Sequence, residues 1–208
     1  MSNEYKDWFY DKVFEYAFDK HKDQVRKYTN EPYINHPRNV AKWIGLMAEK
    51  LTSGVRYISL DTIYQLQEVA YLHDTVEDTD ATFEEIEREF GTYFKEMVYW
   101  LTNVSKPEDG NRKIRKQLDA EHICQAPLDA IIVKLADIYD NCKDIVDNDL
   151  KFAKKYLEEK HTLLKMLAEK RPLILGNVWD EIDWLYLICY ENCYRLIEMN
   201  LERLKNYV

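Results

Sequence analysis

Apolar residues recur every three or four positions along most of this chain, the interval that lines one face of a helix. Tyr5, Phe9, Val13, Tyr16 and Ala17 follow it and predict an amphipathic helix over residues 4–22. A loop is expected over residues 25–35. Pro37 suits the first turn of a second helix, with Val40, Trp43, Ile44, Met47 and Leu51 as its stripe and His36 at its N-terminal cap. Ser53-Gly54 opens a connection reaching Leu60. Asp61 is then expected to cap a third helix carrying Ile63, Leu66, Val69, Ala70 and, facing inward, His73. Thr82 with Glu85 three residues on matches a capping box, and the short helix it opens ends at Phe90-Gly91, where glycine suits the left-handed cap position.

Tyr93, Phe94, Met97, Val98 and Leu101 carry the next helix, and residues 103–111 are the most loop-like stretch. A helix over 112–125 follows, and Pro127 opens another with Leu128, Ile131, Ile132, Leu135, Tyr139 and Cys142 as its core stripe. Two longer helices, over 150–170 and 180–205, are separated by Pro172 and Gly176. There is no internal repeat, low-complexity tract or sustained heptad pattern. The expected fold is all-α, one domain over residues 1–208, built as a bundle of eight or nine helices.

Composition narrows the picture. Only 5 Gly and 5 Pro in 208 residues leave few breakers, which favours long helices. The net charge of -9 argues against nonspecific binding to nucleic acid or to an anionic membrane, because both need a basic surface. It leaves room for an anionic small molecule, since a metal and a few local cations reverse the potential inside one pocket. The 4 Cys show no CxxC spacing and are expected to be reduced thiols. No signal peptide is visible at Met1-Ser2-Asn3-Glu4, and no apolar run approaches the roughly 20 residues of a membrane span. A cytoplasmic, soluble protein is expected.

The densest chemistry lies in His73-Asp74-Thr75-Val76-Glu77-Asp78-Thr79. Side chains three and four apart on a helix share a face, so Glu77 is expected over His73 and Asp74, and Asp78 over Asp74. One imidazole and three carboxylates then point at one place. His36 and Asp137 are further candidate ligands, and imidazole nitrogens with carboxylate oxygens suit manganese, iron or zinc better than calcium. Each residue also has a plain structural reading: His36 as a helix cap, His73 as a core histidine, and Asp137, Asp140, Asn141 and Asp144 as a solvated helix face.

Taken together, three segments carry a resemblance. Glu31-Pro32-Tyr33-Ile34-Asn35-His36-Pro37, the stretch from Leu72 to Thr82, and Val133-Lys134-Leu135-Ala136-Asp137 look like the hallmark segments of the HD-domain hydrolases of the Rel/SpoT alarmone family, in the family's order. The resemblance runs over residues 25–144, and the length is similar to that of the small stand-alone alarmone hydrolases. It implies that His36, His73, Asp74 and Asp137 hold one manganese ion and that Glu77 and Asp78 manage the attacking water. It also implies that Asn141 and the pair Arg26-Lys27 contact the nucleotide. The expected activity is removal of the 3′-pyrophosphate of guanosine tetra- or pentaphosphate. Ile138 stands where the family usually has Arg or Lys, and Asp140 where His or Tyr is common, so Asp140 is expected to add negative charge near the substrate. These departures, with a connection between His36 and His73 longer than is usual in the family, motivate an alternative: a related phosphohydrolase acting on the 2′-phosphate of NADPH or on a deoxynucleotide. A third reading, from a different class, is a non-catalytic nucleotide sensor.

Overall fold

The computed structural model describes residues 3–53, 57–170 and 180–207, with side chains from residue 9 onward. The expected contribution of Tyr5, the connection at Gly54 and the breakers Pro172 and Gly176 lie outside that description. Among the described residues the secondary structure is helical apart from one 3-10 turn and an isolated bridge between Val25 and Pro32. In chain order the helices are α1 (Asn3–His21), α2 (Asn35–Ser53), α3 (Leu60–Leu72), α4 (Thr75–Asp78), α5 (Phe83–Phe90) and α6 (Thr92–Leu101). Then come α7 (Arg112–Ile123), α8 (Leu128–Cys142), α9 (Ile145–Asn148), α10 (Leu150–Lys170) and α11 (Glu181–Lys205). Nine of them match the expected bundle. The other two, α4 and α9, are single turns of four residues.

Helix α8 sits at the centre. It packs against α2, α3, α6 and α11, and residues from Ala130 to Cys142 are buried on nearly every side. A helix apolar over most of its circumference has nowhere else to go. The α2 stripe of Val40, Trp43, Ile44, Met47 and Leu51 is buried as expected. Because α2, α3 and α8 touch pairwise, residues at the start of α2, the end of α3 and the middle of α8 are brought together.

Three local expectations are corrected. His36 lies inside the first turn of α2 rather than capping it. The cap of α3 is Ser59, whose hydroxyl accepts from Thr62 N at 3.0 Å, two residues before Asp61. Most importantly, α3 stops at Leu72, so His73 to Asp78 do not share one continuous helix. The stop has a physical cause in two side chains. His73 Nδ1 donates to Ala70 O at 2.6 Å, and Thr75 Oγ1 donates to Leu72 O at 2.7 Å. Both carbonyls are thereby occupied by side chains at the point where the helical ladder ends. Thr82 does cap α5, accepting from Glu85 N at 3.1 Å, and Gly91 takes φ 99°, which favours glycine over residues with a Cβ.

Candidate metal centre

The turn after α3 aims His73 inward. Its Nδ1 faces a carbonyl, which only accepts, so Nδ1 carries the proton and Nε2 presents its lone pair to the interior. That Nε2 is fully buried and makes no hydrogen bond. Its nearest charged neighbours are Asp74 Oδ2 at 2.9 Å and Asp137 Oδ1 at 4.0 Å. A lone pair facing carboxylates needs a cation or a proton between them.

His36 completes the arrangement from α2. Its Nε2 lies 3.2 Å from Asp137 Oδ1 and 3.5 Å from Asp74 Oδ2. On the other side, Nδ1 donates to Asp140 Oδ2 at 2.7 Å, which fixes the ring and its tautomer. Ligand atoms from His36, His73 and Asp74 all lie within 4.8 Å of one another. Asp137, one face of α8, is held from behind: Lys134 Nζ is 2.9 Å from Oδ2, and Asn141 Nδ2 donates to Oδ1 at 2.5 Å. Two nitrogens with carboxylate oxygens, one nitrogen left unpartnered, suit a borderline divalent ion.

The charges reinforce one another. Burial pushes Asp74 up, yet His73 and His36 outweigh it and hold the carboxyl well below the usual carboxylate range. Asp137 behaves likewise, with Lys134 and the two imidazoles overcoming burial. For His36 burial acts downward, but Asp137, Asp140 and Asp74 together bring it up to about 9. Without metal, the cluster therefore holds a proton that a cation can displace.

Asp140, expected to add negative charge near the substrate, is buried and has its charge matched by neighbouring cations. It is 4% exposed and engages His36, Lys143 at 2.5 Å and, at 3.7 Å, Arg26. Nor do Asp137 and Asp140 form a solvated face, since both are buried.

The remaining candidates separate. Glu77 and Asp78 are exposed on α4. Asn103 grips Glu77 through its backbone N at 3.2 Å and its Nδ2 at 2.5 Å. Arg26 Nη2 donates to Asn141 Oδ1 at 3.1 Å, bringing those two together beside Asp137. Lys27 turns instead to Tyr28 at 3.1 Å and Asp149 at 3.6 Å.

Two residues were missed. The Tyr33 hydroxyl bridges Asp74 Oδ2 at 2.7 Å and Asp78 Oδ2 at 2.9 Å, linking the buried cluster to the exposed acid. Burial and the Asp74 charge raise Asp78 above its ordinary value. His21, buried at the end of α1, packs against Tyr33 with the rings tilted by 31° and their centroids 4.8 Å apart. The position of Tyr33, three residues before His36, was the available signal.

A helical bundle that aims two imidazole nitrogens and buried carboxylates at one point defines a class of protein built around a His/Asp metal site. Residues 33–142 match the HD domain family, and the chain belongs to it. It is homologous to guanosine-3′,5′-bis(diphosphate) 3′-pyrophosphohydrolases. The guanosine-3′,5′-bis(diphosphate) 3′-pyrophosphohydrolase of Aquifex aeolicus is 29% identical over 198 residues, covering 95% of this chain and 25% of that protein. MESH1 of Drosophila melanogaster, also a guanosine-3′,5′-bis(diphosphate) 3′-pyrophosphohydrolase, is 36% identical over 135 residues, covering 64% of this chain and 68% of MESH1. The solved structure of a metazoan ortholog of SpoT that hydrolyzes ppGpp aligns with a TM-score of 0.67 at 25% identity, covering 93% of this chain and 96% of that one. The chain thus spans a quarter of the bacterial relative and about two thirds of MESH1. No helix among the described residues is long and apolar enough to cross a membrane.

Proposed function

We propose that this chain, acting as one domain over residues 1–208, is a metal-dependent pyrophosphohydrolase. It removes the 3′-pyrophosphate of guanosine tetra- or pentaphosphate to give GDP or GTP and pyrophosphate. The observation that carries this reading is the unpartnered Nε2 of His73, aimed at Asp74 and Asp137 beside His36, in a chain whose relatives include pyrophosphohydrolases.

His36, His73, Asp74 and Asp137 would hold one manganese ion. Bound there, such an ion lowers the pKa of water and relieves charge on a phosphoryl oxygen. Glu77, oriented by Asn103, takes the proton of the attacking water. Asp78, joined to the cluster through Tyr33, orients that water. The water oxygen bonds to the phosphorus on the ribose 3′-oxygen, the bond between them breaks, and the 3′-oxygen takes up a proton. Arg26 and Asn141, already adjacent, hold the sugar and its phosphates, with Lys27 on the same loop. The four cysteines are buried and unbridged, which suits a reducing compartment, and we place the protein in the cytoplasm.

Incubation of purified protein with the alarmone and manganese tests the reading through release of pyrophosphate. No release at micromolar enzyme sinks it. A second reading keeps the same metal chemistry with NADPH or a deoxynucleotide as the substrate. Assaying phosphate and pyrophosphate separately over a substrate panel distinguishes them, because an NADPH 2′-monoester yields only phosphate. Tight alarmone binding without turnover would instead indicate a sensor.

A further inference from the structure

A pocket between α6, α7, α8 and α10 shares a wall with the metal centre. It is lined by Asn103, Lys116, Asp119, Lys134, Glu159 and Lys160, among others. Two of these residues also belong to the site, since Lys134 holds Asp137 and Asn103 holds Glu77. A group bound in the pocket is therefore one side chain away from both.

The cations of this pocket are not equally neutralised. Lys116 pairs with Asp119 at 3.0 Å and Lys134 with Asp137 at 2.9 Å. Glu159 is already engaged by both arms of Arg112, each at 2.8 Å. Lys160 is left over. Among the described residues no carboxylate lies within ion-pair distance of it; the ring of Tyr156 lies 5.1 Å from Nζ, and Asp137 attracts it only from farther away. Burial, with Lys134 and Lys116 nearby, lowers its pKa to about 8. In a chain of net charge -9 an ammonium without an ion-pair partner, grouped with two other lysines, marks a place for an external anion.

We propose that Lys160, with Lys116 and Lys134, forms a phosphate subsite beside the metal centre that receives a phosphate group of the nucleotide substrate. The subsite rests on the hydrolase reading for the identity of its ligand. Phosphate suits it because ammonium groups act as point charges toward an oxyanion of high charge.

Inorganic pyrophosphate is the probe, titrated into the full chain by calorimetry with metal chelated. Lys160→Met is expected to weaken its binding at least tenfold, and Lys160→Arg to keep it within about threefold, with manganese affinity unchanged in both. Acetylation of the wild-type chain supplies a measurement that no folding defect can confuse: Lys160 should be modified in the free protein and shielded by pyrophosphate. Wild-type pyrophosphate affinity in folded Lys160→Met, or acetylation of Lys160 indifferent to pyrophosphate, overturns the subsite. Failure of the two proposals is separable. Alarmone hydrolysis with KM and pyrophosphate affinity unchanged in Lys160→Met removes the subsite alone, whereas Lys160-dependent pyrophosphate binding without hydrolysis supports an anion site and removes the hydrolase reading.

Discussion

Asp140 Oδ2 lies 2.7 Å from His36 Nδ1, joining two buried residues 104 positions apart. The contact turns the far nitrogen of the imidazole toward Asp74 and Asp137 and fixes its tautomer. Asp140→Asn keeps the volume but loses the charge, so manganese affinity should fall about ten- to a hundredfold. Calorimetric titration with manganese checks this, with circular dichroism to verify the fold. Unchanged affinity would mean that the ring is oriented by its packing alone.

Protons should compete with the metal. His36 is brought up to about 9 by the carboxylates around it, so the metal-free cluster binds a proton across the neutral range. As pH falls below that value the protonated, metal-free form gains, and apparent affinity should drop by up to about tenfold per unit. At pH 7 about one proton should leave for each manganese bound. Calorimetry in buffers of different ionisation enthalpy measures it, and an observed heat independent of buffer would refute the linkage.

What could be read in advance follows from where each signal lives. The stripes of α2 and α8 were legible because burial of one helical face imposes a period on the sequence. The single turns α4 and α9 were not, since four residues carry no period. The break after Leu72 was hidden because it depends on where two side chains, His73 and Thr75, place their hydrogen bonds. Residue type offered the candidate ligands, but motif resemblance rather than spacing joined them into one set. That the charge of Asp140 is matched inside the protein was not legible, because its partners include His36 and Arg26, which come from the opposite end of the motif region. Tyr33 was overlooked although it stood within the segment already singled out.

Ile138, the departure next to Asp137, is completely buried in α8. Restoring the family's usual residue with Ile138→Lys places an ammonium in an apolar site with no partner supplied. The expected loss is more than about 3 kcal/mol of stability. Thermal unfolding of the metal-free protein reads it directly, and a melting temperature within about 2 °C of wild type would show that the lysine reaches water or an acid.

Glu68 offers a stability test remote from the site. It is 5% exposed on α3, no described hydrogen bond reaches its carboxyl, and burial pushes its pKa up to about 7. The unfolded chain releases this proton near 4.5, whereas the folded chain keeps it until about 7. Stability from this group is therefore greatest below the unfolded value and declines as pH rises between the two, by a total on the order of 3 kcal/mol. Glutamine imitates the neutral acid without titrating. Glu68→Gln should match wild type at pH 4.5 and melt several degrees higher at pH 8, the difference opening between those values. Paired melting curves across this range decide the matter: an offset that does not vary with pH, or a lower melting temperature at pH 8, would show that the ionised carboxylate is solvated in the folded chain.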